Sequence, residues 1–209
     1  MKVIIFGATG TVGKELVKQA LFNGNHVKAY GRNVFTEGLP EDEKLELVQG
    51  ALFDEGEVYK AVKRCDAVIS AIGGAMDGAD KTRSLGMKNI VKQMEKAGVK
   101  RIVALGGSGV LDAEDGKLIM EQEDFPAEFY PVSQEHKKAL DFLSNSTLSW
   151  TFVCPSMIAA GEPTGMFKTT VNHLPFPNNS KVSSGDLALF MLKEMSADEY
   201  VKQKVGISS

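Results

Sequence analysis

Gly7-Ala8-Thr9-Gly10-Thr11-Val12-Gly13 follows the apolar run Val3–Phe6 without a break and opens a stretch with helical spacing. Strand, glycine turn and helix N-terminus in that order can hold a phosphorylated ligand with backbone amides. Gly7 permits a sharp exit from the strand, Gly10 lets the backbone approach a diphosphate, and Gly13 lets the helix lie against the sheet. Thr9, Thr11 and Val12 bring further amides, and the threonines bring hydroxyls, to the positive end of the helix dipole. The chemistry implied is dinucleotide binding. Without a ligand, the same pattern is simply a strand–turn–helix corner.

A second group of residues bears on which dinucleotide. The chain after the next apolar run reads Ala29-Tyr30-Gly31-Arg32-Asn33. An NAD site usually places a carboxylate there for the ribose 2′-hydroxyl. None is present, and Arg32 can give a 2′-phosphate a charge-assisted contact. The expected cofactor is therefore NADPH, with NADH binding more weakly. Further on, Ser108 stands in Gly106-Gly107-Ser108-Gly109, and His136 lies beside Glu135. Ser108 is either a polar group near the reacting ring or an ordinary turn serine. His136 is either a proton relay or an exposed helical residue.

The elements that must position these groups alternate along the chain. Val3–Phe6, His26–Tyr30, Leu45–Val48, Ala67–Ala71, Arg101–Leu105 and Trp150–Cys154 read as six strands, the last ended by Pro155. Val12, Leu16, Val17, Ala20 and Leu21 mark the first helix. Thr82–Ala97 is a long one with Leu85, Ile90, Val91 and Met94 available to face a sheet, and Gln134–Ser144 is another. Asp186–Met195 closes the series before a short apolar tail. Alternating strands and helices predict an α/β, Rossmann-type, doubly wound parallel sheet with helices on both faces, and a short C-terminal elaboration on the substrate side. The whole of residues 1–209 is expected to form one nucleotide-binding domain.

Bulk properties exclude several other roles. The formal charge is -3 and no Lys/Arg stripe accumulates, so nucleic acid is not an expected partner. The apolar run near Met1 is too short for a signal or a membrane span, so no membrane association is expected. Cys65 and Cys154 stand far apart, and His26, His136 and His173 have no ligand spacing, so no metal is expected. A cytoplasmic protein, monomeric or weakly self-associating, fits these features.

The motifs together make a narrower pattern. GATGTVG opens the chain, VISAIGG follows the fourth strand and VALGGSGVL follows the fifth. Near the end come HKKALDFLSNSTLSWTFVCPSMI and GDLALFMLKEMSADEY. The chain resembles an atypical short-chain dehydrogenase/reductase of the NAD(P)H-binding, NmrA-like group, which includes the NADPH-dependent flavin reductases (biliverdin reductase B). The resemblance implies that Gly7, Thr9, Gly10, Thr11, Val12 and Gly13 hold the phosphates and that Arg32 meets the 2′-phosphate. It also implies that the Leu52 backbone borders the adenine and that Ala71, Ile72 and Gly73 line the ribose and phosphate side. Ser108 would approach the nicotinamide, with Pro155 and Ser156 around its carboxamide. Ser108 and His136 are the catalytic candidates.

Departures from the family pattern limit the chemistry. Gly50-Ala51 replaces the Gly-Asp of many relatives, and Asp54 lies three residues on. The YxxxK pair of the superfamily is absent. Met157 occupies the position of a histidine in the flavin reductases, so that residue's role does not transfer. A flat acceptor that delocalises charge needs no strong acid for the hydride step, so a flavin or quinone-like molecule is the expected acceptor. A non-catalytic redox sensor is the other reading.

Segments of about 109–132 and 156–182 should form the acceptor side. Phe125, Phe129, Tyr130, Met157, Met166 and Phe167 are candidate apolar walls. Asp112, Glu114, Asp115, Glu121, Glu123, Asp124 and Glu128 make the first segment acidic. If they face the mouth, neutral acceptors are favoured over phosphorylated ones.

Overall fold

The structure, a computed structural model, describes residues 1–176 and 181–209. The elements in chain order are β1 (Lys2–Phe6), α1 (Thr11–Phe22), β2 (His26–Gly31), β3 (Leu45–Gln49), α2 (Glu55–Val62), β4 (Ala67–Ser70) and α3 (Thr82–Ala97). They continue with β5 (Arg101–Leu105), α4 (Tyr130–Ser144), β6 (Ser149–Pro155), β7 (Ile158–Ala159), β8 (Lys168–Val171), β9 (Val182–Ser183), α5 (Ser184–Ala197) and β10 (Gln203–Ser208).

The main sheet has the order β3-β2-β1-β4-β5-β6-β10-β8. Every neighbouring pair is parallel except β10 with β8. The chain moves outward from β1 to β3, then returns to place β4 on the other side of β1. That reversal leaves a crevice at the carboxyl ends of β1 and β4, the place where open α/β sheets bind ligands.

Both faces of the sheet are covered, which explains why its inner strands are continuous apolar runs instead of alternating ones. Ile4 and Phe6 point into one core with Val58 of α2, Met87 and Ile90 of α3 and Leu140 of α4. Val3 and Ile5 point into the other core with Leu16 of α1 and Leu187 and Met191 of α5. The β1–α1 corner is tied by the Gly10 amide donating to the Gly7 carbonyl at 3.1 Å.

The sheet departs from the sequence expectation in several places. β6 does end at Pro155, which is included as its last residue and stands opposite Ile207 of β10. A proline at the end of a strand removes only a terminal ladder donor. The apolar tail is β10, inserted between β6 and β8, with Val205 and Ile207 fully buried. Leu85 is 46% exposed and does not face the sheet. The buried arc of α3 runs instead through Arg83, Met87, Ile90 and Met94. Helix α4 begins four residues early, with Pro131 in its first turn, where a missing N–H costs nothing. Helix α2 was not anticipated; Asp54 starts it by accepting the Glu57 amide at 2.8 Å.

The long segments are more structured than plain loops. The first carries single 3-10 turns at Ser108–Val110, Ile119–Glu121 and Ala127–Phe129. The second contains β7, paired in parallel with β9, and the edge strand β8. Part of the second expected segment, residues 177–180, lies outside the described residues. At the start of α5 the Asp186 carboxylate accepts from the Thr164 and Gly165 amides at 2.7 Å each, which pins the chain before β8. Burial pushes that carboxyl upward, but the hydrogen bonds from Thr164, Gly165 and Ser183 outweigh it and hold it below the usual range.

Candidate functional site

Gly7 has φ +77°, a left-handed conformation that an L side chain adopts only under strain. A Cβ there would also overlap the Ala71 carbonyl, so the turn after β1 lies directly against the chain leaving β4. Gly10 is the N-cap of α1, and no side chain caps the helix. The amides of its first turn therefore meet no capping side chain, which leaves them available to an anion at the helix N-terminus. Val12 and Gly13 are buried behind the loop, where Val12 packs in the core. Gly13 lies so close to Gly7 that a Cβ would overlap the Gly7 carbonyl oxygen.

A cleft of about 230 Å³ opens beside this loop, lined among others by Gly7, Thr9, Arg32, Leu52, Ile72 and Gly73. These are six of the residues expected from the sequence. Gly10, Thr11, Val12, Gly13 and Ala71 are not among the lining residues; Ala71 packs in the core and touches the site only through its backbone beneath Gly7. Arg32 is exposed on the rim, and no carboxylate pairs with its guanidinium among the described residues. The Gln49 side-chain amide donates to its carbonyl at 2.9 Å, which fixes the backbone.

Tyr30, Gly50 and Phe53 also line the cleft, and the sequence reading missed them. The Tyr30 hydroxyl donates to the Ala51 carbonyl at 3.0 Å. Burial, with Glu57 and Asp54 nearby, pushes the phenol up to about 12, so it stays protonated. Gly50 is glycine because a Cβ would overlap the Tyr30 hydroxyl. The Ala51 amide is taken by Glu57 at 2.7 Å. Asp54 is committed to capping α2 and does not replace the carboxylate that Ala51 lacks.

A second recess, about 430 Å³, adjoins the first through Ile72 and Gly73, which line both. It lies at the carboxyl ends of β5 and β6, and its walls bring together Ser108, His136, Pro155 and Ser156. The Ser108 hydroxyl has no hydrogen-bond partner among the described residues, and the buried Ser156 hydroxyl has none either. His136 is no surface residue: its ring lies over Gly107, where a Cβ would sit 3.0 Å from Cδ2. The ring also meets Phe152 edge-on, with centroids 6.5 Å apart.

Burial, reinforced by the Arg83 charge and opposed by Glu135, pushes the His136 imidazole down to about 3. His136 is therefore neutral near pH 7 and supplies at most one N–H and one lone pair. An NMR titration of this ring is expected to show no inflection between pH 5 and 8. The unfolded chain takes up a proton near pH 6.5 that the native ring refuses. This group's contribution to stability is thus intact above that pH and is lost as pH falls toward 3, at up to about 1.4 kcal/mol per unit.

Glu135 turns away from the recess. Burial raises its carboxyl, but hydrogen bonds from Ser84, Lys138 and Lys81 outweigh that effect and hold it below the usual range.

Of the six proposed apolar walls, Phe129 and Met157 line the recess, joined by Leu105, Val132 and Ile158. Phe167 packs against Phe190 instead, at 5.9 Å between centroids, and Met166 is 74% exposed. None of the carboxylates of the acidic segment is among the residues that line the recess. Asp112 pairs with Lys204, and Glu121 accepts the Leu118 amide at 2.9 Å. The preference for neutral acceptors that depended on those acids loses its basis. The charge that does line the recess is Arg83, which the sequence reading did not single out.

Among the described residues there is no His/Cys/Asp/Glu group that could hold a metal, and no helix is long and apolar enough to cross a membrane. Cys65 and Cys154 are buried, and burial pushes both thiols above their ordinary range.

Comparison with known proteins agrees with this geometry. The sequence profile described as NAD(P)H-binding matches residues 7–198. The chain is 26% identical to the uncharacterised protein YwnB of Bacillus subtilis, over 100% of this chain and 99% of that one. A crystal structure of a candidate exported protein from Burkholderia pseudomallei superposes with TM-score 0.86 at 30% identity, covering 100% of both chains. Another, a candidate NADH-flavin reductase from Streptococcus pneumoniae, superposes with TM-score 0.84 at 25% identity, covering 100% of this chain and 99% of that one. With its glycine corner, its uncapped helix and a profile match over most of its length, this chain belongs to the NAD(P)H-binding family of Rossmann-fold proteins.

Proposed function

We propose that the protein is an NADPH-dependent reductase that passes a hydride to a flavin or a similar flat, quinone-like acceptor. The observation that carries this reading is the continuity of two unlike recesses through Ile72 and Gly73. Beside the first stand the uncapped amides of α1, and on its rim Arg32, which has no ion pair among the described residues. The second offers a largely apolar space with neutral polar groups.

The residues fit a dinucleotide on structural grounds. The amides of α1 lack a side-chain cap, and side chains on Gly7 and Gly13 would displace the turn that presents them. In this reading Thr9, Gly10, Thr11 and Val12 hold the diphosphate, Arg32 takes the 2′-phosphate, and the Leu52 backbone borders the adenine. Ala71, through its backbone, and Ile72 and Gly73 border the ribose. NADH, lacking the 2′-phosphate, binds less tightly.

Bound NADPH would supply the hydride; the chain's own residues position and shield it. Ser108 and Ser156 have unengaged hydroxyls for the nicotinamide carboxamide, and Pro155 closes the side of the pocket. His136 is neutral and serves as a hydrogen-bonding wall, not as an imidazolium acid. The acceptor must therefore tolerate gaining a hydride without a strong protein acid, as a conjugated ring does.

One observation favours a non-catalytic sensor. At the position of the superfamily tyrosine stands Ser133, buried with its hydroxyl near Gly109, and the lysine four residues on, Lys137, is paired with Asp141 at 2.6 Å. Stopped-flow mixing with NADPH and riboflavin separates the two. Oxidation of NADPH faster than the protein-free rate is the expected result. Saturable binding with no turnover on any flavin or quinone tested would establish the sensor instead.

A further inference from the structure

Arg83 sits in the first turn of α3, is 8% exposed, and lines the second recess. Each of these facts makes a positive charge costly. A helix N-terminus repels cations, and a buried guanidinium normally meets a carboxylate. No carboxylate lies within ion-pair distance of Arg83 among the described residues. Asp80 and Glu135 favour the charge from beyond that distance but do not offset its burial, and each has closer partners: Asp80 accepts the Thr82 amide at 2.6 Å, and Glu135 pairs with Lys81 and Lys138 at 3.3 and 2.9 Å.

The groups that Arg83 hydrogen-bonds are neutral. One terminal nitrogen donates to the Ala75 carbonyl at 2.8 Å. The other donates to the Gly74 carbonyl at 3.0 Å and approaches the Met76 sulfur at 4.0 Å. Of five N–H donors, two are left over. Bracing these two carbonyls uses only part of the fork, and the same residue also lines the recess. Around the guanidinium the recess is lined by Leu105, Phe129, Val132, Met157 and Ile158, with no carboxylate.

We propose that Arg83 is a specificity-determining residue that binds an anionic oxygen on the acceptor, so that this site takes flat conjugated molecules bearing a carboxylate or an equivalent acidic oxygen. The inference rests on the reading of this recess as the acceptor side of a reductase. A planar fork suits a carboxylate bidentately, and the surrounding apolar walls strengthen the contact by excluding water. The apolar walls hold the ring while the guanidinium fixes its orientation.

The test compares wild type with Arg83→Met and Arg83→Lys. Each protein is titrated with NADPH, then loaded with NADP⁺ and titrated calorimetrically with 2-naphthoate and with its neutral isostere 2-naphthamide. Wild type should bind the carboxylate at least about tenfold more tightly than the amide, the scale of a charge-assisted contact. Arg83→Met should lose that preference while its NADPH affinity stays within about twofold of wild type. Arg83→Lys keeps the charge without the fork and should retain only part of the preference. It also serves as the readout if the methionine variant does not fold.

Equal binding of the two probes by wild type, no binding of either, or a preference that survives both substitutions would overturn the proposal. So would an effect confined to NADPH affinity, since that would make Arg83 a cofactor contact. The proposed function fails separately. An Arg83-dependent preference for naphthoate, with no NADPH oxidation by any acceptor, refutes the reductase and leaves the anion site. Turnover with no carboxylate preference does the reverse.

Discussion

Gly13→Ala is expected to cost the protein about 3 kcal/mol or more and to abolish saturable NADPH binding, the upper end of what overpacking a close contact does. The added Cβ would overlap the Gly7 carbonyl oxygen and lie 2.8 Å from both the Ala8 Cα and its carbonyl carbon. These are backbone atoms of one tight corner, so no flexible side chain can swing away. The helix has to shift from the sheet, which pulls the uncapped amides out of position and opens the packing of Val12 and Leu16. Thermal melts with NADPH titrations check this. An unchanged melting temperature with wild-type affinity would show that the corner does not set the position of the amides.

The second large effect concerns cofactor choice. Arg32→Ala should weaken NADPH by about 1.5–3 kcal/mol, or roughly 10- to 150-fold in Kd, the range for a hydrogen bond to a charged group. NADH should change little. Arg32 is exposed, carries no ion pair among the described residues and lies on the rim of the cleft next to Gly31. Its removal leaves nothing buried unsatisfied, so the fold should be unaffected. Fluorescence titrations with both nucleotides give the ratio directly. Equal losses for NADPH and NADH would remove the 2′-phosphate contact from the account.

The corner at Gly7–Gly13 was legible because the constraints on it are local. A strand exit, an open approach and a close helix contact each demand glycine at a fixed spacing, whatever the rest of the chain does. Helix α3 was legible over Thr82–Ala97 for a similar reason, since its length gives the periodicity room to show. Its register was not. Leu85 looked like a core residue, yet Arg83 took the inward position because the carbonyls of Gly74 and Ala75 receive its guanidinium. Nothing in the local sequence announces that pairing.

Elements defined by distant partners were hidden in the same way. β10 is a short run whose strand identity comes from pairing with β6, about fifty positions away, and with β8. Helix α2 has only eight residues, of which Val58, Ala61 and Val62 are buried, so its apolar stripe is too brief to read. The acidic segment was legible as acidic but not in orientation. Asp112 is drawn to Lys204, 92 positions away, and Glu121 to the Leu118 amide, and no acid of the segment lines the recess. His136 illustrates the opposite error. Helical position alone left it open between surface and site, while its place over Gly107 decided the matter and made it neutral.

Isothermal calorimetry of the purified protein with NADP⁺ bears most directly on whether the first turn of α1 grips a diphosphate. A saturable isotherm with one nucleotide per chain, competed by NADPH and lost in the Gly13→Ala variant, is the predicted outcome. A flat titration up to millimolar nucleotide, on protein shown by circular dichroism to be folded, would contradict the account at its root.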